Sequence, residues 1–142
     1  MRLWLKDRDM NHKVLIVEDE PLIALDIEGM VESAGLAVAG IATSTDRAIA
    51  LAPSADIALV DVNLADGATG PSIGRILAEK YGLAVIFMTA NPEAVRDGVK
   101  GILGVVRKPV LPRTVEQILK YAIGYMTGAY AATPAGMQVF RT

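Results

Sequence analysis

Four short stretches of this sequence end in residues that could share one task. Glu18 and Asp19 stand in "LIVEDE", Asp61 in "ALVDVNL", Thr89 in "VIFMTAN" and Lys108 in "VVRKP". Carboxylates held within a few ångströms of one another repel, and they either take up protons or recruit a cation. A divalent ion served by one or two carboxylates, a backbone carbonyl and several waters is a Mg²⁺ site rather than a zinc or copper site. A carboxylate with one oxygen left free can attack a phosphoryl donor and form an aspartyl phosphate, with the metal, a lysine and a hydroxyl sharing the charge on the equatorial oxygens. Asp61 is the candidate nucleophile, and Lys108 and Thr89 are the candidate charge-sharing pair. Each residue alone also has a plainer role. Asp19 or Glu20 could cap a helix starting at Pro21, Asp61 and Asn63 could belong to a turn, Thr89 or Asn91 could cap a helix starting at Pro92, and Lys108 could be a surface lysine. The chemical reading is preferred because four separate segments each supply the residue type that such a site needs.

These residues can meet only if the chain brings those segments together. Short apolar runs rich in β-branched residues, Val14–Glu18, Ala37–Ala42, Ile57–Val62, Ala84–Met88 and Leu103–Val106, alternate with stretches of helical period. The helical stretches are Pro21–Ser33, Asp46–Leu51, Ser72–Tyr81, Pro92–Val99 and Val115–Met126. Pro21 suits a first helical turn, Gly35 and Gly82 suit C-terminal stops, and Thr43 to Thr45 offer an N-cap. Strands apolar on both faces and joined by helices call for a parallel sheet with helices on both sides and right-handed crossovers. The predicted fold is therefore α/β, a doubly wound five-stranded parallel sheet, (βα)5 and flavodoxin-like in strand order. Such sheets bind ligands beyond the carboxyl ends of their strands, near the point where strand order reverses. Glu18, Asp19, Asp61, Thr89 and Lys108 all fall at those ends.

The ordered set "VEDE", "LVDVNL", "FMTA" and "RKP" resembles the receiver domains of bacterial two-component response regulators, over about Lys13 to Tyr125. The wording "DVNLADGATG" followed by "FMTANPE" is similar to receivers that serve a particular class of sensor kinases in alpha-proteobacteria. The resemblance implies that Glu18 and Asp19 are the paired metal acids and Asp61 the phosphoacceptor. By the same carry-over, Asn63 supplies a backbone carbonyl to the metal, Thr89 the hydroxyl, Lys108 the phosphate-pairing lysine, and the Lys108–Pro109 bond is cis. Two departures stand out. Val105 occupies the position, three before the lysine, where many family members carry a Tyr or Phe that reports phosphorylation. Only nineteen positions separate Thr89 from Lys108, which predicts a short or irregular fourth helix. The switch is accordingly expected in Ala90, Asn91 and the loop to Gly101 rather than in an aromatic side chain. The last helix carries Tyr121, Tyr125 and Met126 near one side, either a surface read by partners, including a second copy in a homodimer, or part of the core.

Composition excludes several other classes. The chain of 142 residues suits one domain, with 1–12 an expected flexible lead, 13–126 the receiver and 127–142 a tail without assignment. It has no cysteine, so neither disulfides nor a thiolate metal site are available, and a cytoplasmic setting is expected. No run suits a signal peptide or a membrane span. A net charge of −2 without a basic cluster argues against direct nucleic-acid binding. With 34 residues after Lys108, no output module is expected beyond the last helix. The resulting expectation is a stand-alone receiver that accepts a phosphoryl group from a histidine kinase or phosphotransfer protein and signals to a downstream protein. It would catalyse only its own phosphorylation and slow dephosphorylation. Two alternatives compete. One is a receiver-like module that works without phosphorylation, which the full set of site residues argues against. The other is a phosphatase of the haloacid dehalogenase type, whose nucleophile follows the first strand in an Asp-x-Asp motif, whereas Asp61 follows the third and precedes Val62-Asn63.

Overall fold

The computed structural model describes residues 12–64 and 69–140. Five strands, β1 (Lys13–Val17), β2 (Ala37–Ala42), β3 (Ile57–Asp61), β4 (Ala84–Thr89) and β5 (Ile102–Arg107), pair in parallel. A sixth, β6 (Met137–Val139), runs antiparallel along the outer side of β5, and the order across the sheet is β2-β1-β3-β4-β5-β6. The doubly wound fold holds, but with one strand more than the five expected. The additional strand comes from the tail that sequence pattern left unassigned.

Alternation along the strands divides the core in two. Val14, Ile16, Ile57, Leu59, Ile86 and Met88 face α1 (Pro21–Ser33) and α4 (Pro112–Thr127), which contribute Ile27, Val31, Ile118, Leu119 and Ala122. Leu15, Val17, Ala58, Val60, Val85 and Phe87 face α2 (Thr45–Leu51) and α3 (Gly70–Tyr81), which contribute Ala48, Ile73 and Leu77. Because β1 and β3 are covered on both faces, they read as unbroken apolar runs, as parallel strands do. Sheet order reverses at β1, so the carboxyl ends of β1 and β3 flank the crevice where such folds bind ligands.

Local chemistry explains the helix ends. Ser44 caps α2 by accepting a hydrogen bond from the Arg47 N–H (3.3 Å). Prolines start α1, α3 and α4 in the first turn, which places the last two starts before the expected Ser72 and Val115. The expected fourth helix, Pro92–Val99, is only a 3₁₀ turn, Pro92–Val95. Gly98 and Gly101 follow at φ 84° and 86°, in the left-handed region that an α-helix cannot continue through. Residues 1–11 of the expected flexible lead lie outside the described residues, as do 65–68 and 141–142. Among the described residues no helix is long and apolar enough to cross a membrane.

Candidate functional site

The ends of β1, β3 and β5 deliver the acidic and basic groups to one place. Glu18 leaves β1 fully buried, Asp61 closes β3 at 5% exposure, and Asp19 is half-buried beside them. One carboxylate oxygen from each of Glu18, Asp19 and Asp61 lies within 4.8 Å of the others. Lys108, ninety residues after Glu18, enters from beyond β5. Its Nζ donates to Glu18 Oε1 (2.7 Å) and to Asp61 Oδ2 (3.3 Å). Burial opposes the charge on Lys108, but the hydrogen bond to Glu18 and the negative charges of Asp61 and Glu18 outweigh it and hold the ammonium pKa above its ordinary value.

The remaining oxygens have defined duties. Glu18 Oε2 accepts from the Glu20 N–H (3.2 Å), so both of its oxygens are engaged. Asp61 Oδ1 accepts from the Asn63 N–H (3.0 Å), which folds the turn after β3 back over the carboxylate. Glu20 is the N-cap residue of α1 and makes no side-chain cap bond. Asp19 is not that cap residue, so its partial exposure beside two buried acids fits a ligand better than a cap. Three carboxylates against one ammonium leave two negative charges uncompensated, which is the charge of a divalent cation. The donor set is all oxygen, the hard ligand type that Mg²⁺ takes, and it is gathered within 4.8 Å. The residues therefore fit Mg²⁺, with Asp19 and Asp61 the available side-chain ligands and Glu18 held one step back by Lys108.

Thr89 ends β4 fully buried, and its Oγ1 accepts from the Asn91 N–H (3.1 Å). Strand register sets Asp61 opposite Met88, so Thr89 lies one residue beyond the acid, and its carbonyl accepts from the Lys108 N–H (2.8 Å). The Lys108–Pro109 peptide is cis. A cleft of about 490 Å³ opens over these groups, with Asp61, Asn63, Ala90 and Lys108 on one side and Ile23, Ile27 and Met30 of α1 on the other.

Other expected residues lie elsewhere. Val105 is buried in the middle of β5, opposite Phe87 and against the α2/α3 side of the core. Asn91 is exposed on the loop after Thr89. The last helix divides its aromatic set: Tyr121 and Met126 pack partly against the core, while Tyr125 is 66% exposed, and none of the three lines the cleft. Two contributors carried no role in the sequence pattern. Gly70 starts α3 directly on the backbone of Asp61 and Val62, where a Cβ would meet the Asp61 carbonyl oxygen and sit 2.6 Å from Val62 Cα. Arg107 faces Thr89 across β4–β5, donating to the Ala90 carbonyl (3.0 Å) and to Glu93 (3.2 Å). Its position immediately before Lys108 was the only available cue.

Comparison with known proteins bears on the family and the fold. The response regulator receiver domain model matches residues 14–120. The Phyllosphere-induced regulator PhyR of Methylorubrum extorquens is 34% identical over 125 residues, 85% of this chain and 47% of that protein. The crystal structure of the response regulator PhyR from Brucella abortus superposes with a TM-score of 0.74 at 36% identity, over 82% of this chain and 49% of that one. The anti-anti-sigma factor PhyR from Bartonella quintana gives 0.71 at 34% identity, over 82% and 49%. The chain thus spans about half the length of these three relatives.

Proposed function

The chain belongs to the response regulator receiver domain family, and from that premise we propose that Asp61 accepts a phosphoryl group from a histidine kinase or histidine phosphotransfer protein, with Mg²⁺ as cofactor, and that the phosphorylated domain signals by protein–protein contact. The observation that carries this reading is the bridging of Asp61 and Glu18 by Lys108, from opposite ends of the chain, inside a group of three acids.

In the proposed reaction an Asp61 carboxylate oxygen attacks phosphorus while the bond from phosphorus to the donor imidazole nitrogen breaks, and the electron pair of that bond stays on the nitrogen. Asp61 is pre-aimed by the Asn63 N–H. Lys108 shifts part of its attraction from Asp61 to the phosphoryl oxygens, and the Thr89 hydroxyl donates to another of them. Mg²⁺, when bound, supplies charge neutralisation between the carboxylates and the incoming phosphoryl group. The family's role is signalling, so the chemistry is confined to this one group. A protein donor suits the surface: Leu22 (79% exposed), Leu25 (55%) and Leu111 (62%), next in sequence to the cleft-lining Ile23, Asp26 and Val110, are large apolar side chains left exposed. The likeness to an anti-anti-sigma factor supports a protein as the output partner.

The test is to incubate the chain with acetyl phosphate and Mg²⁺ and weigh it intact. The expected result is a gain of one phosphoryl group that is absent in Asp61→Asn. An unchanged gain in that variant would remove Asp61 from the role.

A further inference from the structure

The segment that follows α4 ends in a strand that the family resemblance did not anticipate. Met137, Gln138 and Val139 pair with Val106, Val105 and Gly104, and the Phe140 N–H donates to the Leu103 carbonyl (2.9 Å). Met137 is buried on the α1/α4 side of the sheet and Phe140 on the α2/α3 side, so the strand straddles the β5 edge. The seat exists because residue 104 is glycine: a Cβ there would run into the Gln138 carbonyl oxygen and lie 2.6 Å from Met137 Cε.

This strand grips the loop that leaves the candidate site. Gln138 Nε2 donates to the Arg96 carbonyl (2.8 Å), and the Phe140 ring lies against Gly98, 3.5 Å from where a Cβ would stand. The near end of the same loop is held by Arg107 of β5 through Ala90 and Glu93. Side chains of the outer two strands thus hold the segment from Ala90 to Gly98 near both of its ends, and Thr89, whose hydroxyl accepts from the Asn91 N–H, immediately precedes it. Thr89, Val105 and Arg107 share one face of the sheet by strand alternation, and Phe140 packs on that face too. The switch that a small Val105 cannot make has a mechanical alternative here. The strand is only three residues long, pairs among the described residues on one side only, and should be among the first elements to open.

Resting on the proposed phosphorylation of Asp61, we propose that β6 is a latch released by that event, and that the β5 edge it vacates is an output surface for an extended segment of a partner protein. When the Thr89 hydroxyl turns to the phosphoryl group it gives up the Asn91 N–H, the Ala90–Gly98 segment shifts, and Gln138 and Phe140 lose their holds. The freed Leu103–Val106 edge then takes a strand by backbone pairing. Its shape asks for what β6 itself provides: a flexible apolar residue on the helix side and an aromatic residue three positions later.

Amide hydrogen exchange on the full chain, with and without beryllofluoride and Mg²⁺, tests this. Protection of the Leu103–Val106 and Met137–Phe140 amides is expected to fall about tenfold on loading. Gln138→Ala should lower it about fivefold in the unloaded chain, the loss of one hydrogen bond. A fluorescent peptide with the sequence of residues 135–140 is expected to bind the loaded chain, to bind the unloaded Gln138→Ala chain more than the unloaded parent, and not to bind Gly104→Ala in either state. A chain that gains the phosphoryl mass yet shows unchanged protection at these amides overturns the latch and leaves the phosphorylation reading standing. Failure of Asp61 to take up the phosphoryl group overturns both. Peptide binding that ignores loading, or that survives Gly104→Ala in a folded variant, overturns the output surface.

Discussion

Lys108 and Asp19 belong to the same cluster around Glu18 and Asp61 and should respond oppositely to removal. Glu18 is fully buried and Lys108 compensates it. Lys108→Ala therefore leaves a buried carboxylate without its counter-ion, and a loss of roughly 2–3 kcal/mol is expected in urea melts without metal, somewhat below a wholly enclosed pair because Lys108 retains 16% exposure. The pKa direction sets the pH dependence. A lysine raised by folding contributes stability in full below its unfolded value near ~10.4, and loses it as pH climbs through the higher folded value. The parent chain should thus weaken above about pH 10.4, and Lys108→Ala should lack that component; identical alkaline limbs in the two proteins would contradict it. Asp19→Asn removes one of the mutually repelling charges, with no cap bond to forfeit. Metal-free stability should rise by a few tenths of a kcal/mol, about the scale of one partly exposed charge interaction, while Mg²⁺ affinity falls. A drop in metal-free stability would mean that Asp19 holds the backbone in a way this geometry does not capture.

At the scale of elements, the start of α3 is where helix propensity and packing oppose each other. Replacing Gly70 by Ala gains up to ~1 kcal/mol of helix propensity, but the new methyl strikes the Asp61 carbonyl and the Val62 backbone, neither of which is a flexible side-chain end. Overpacking against fixed atoms costs typically ~1–3 kcal/mol. The clash should win, so Gly70→Ala is expected to lower Tm by several degrees and to slow phosphorylation of Asp61, because the displaced backbone carries the acceptor. A thermal melt together with a phosphorylation time course checks both; a stabilised variant with normal phosphorylation would show that α3 can slide without disturbing β3. The 3₁₀ turn Pro92–Val95 is the opposite kind of element. Its own hydrogen bonds are short-range, from the Ala94 N–H to the Asn91 carbonyl (3.2 Å) and from the Arg96 N–H to the Glu93 carbonyl (3.4 Å), while Arg107 holds Glu93 from β5 and Gln138 holds Arg96 just beyond the turn.

For the whole molecule, an ion that binds only the folded site stabilises every residue at once. With free Mg²⁺ at ten times its dissociation constant the gain is ~1.4 kcal/mol. Calorimetry should show Tm rising with Mg²⁺ and returning on chelation with EDTA, and Asp61→Asn should blunt the rise. A melting temperature indifferent to Mg²⁺ across the millimolar range would argue against a metal at the acidic cluster.

The sequence by itself determined the site residues' types and the frame that carries them. Unbroken apolar runs such as Val14–Val17 and Ile57–Val60 can be buried only on both faces of a parallel sheet, and the strand-end rule then brings Glu18, Asp61, Thr89 and Lys108 to one edge without further information. That logic is local and periodic, which is why it could be read. Tertiary structure decided what depends on a distant neighbour. Lys108 could be paired with Glu18 only across ninety residues, Gly70 acquires its role only from the backbone it touches, and Met137–Val139 is too short for its alternation to announce a strand. Such a segment becomes ordered because β5 offers unpaired backbone groups and Gly104 leaves room for it, conditions that exist only once the sheet has formed.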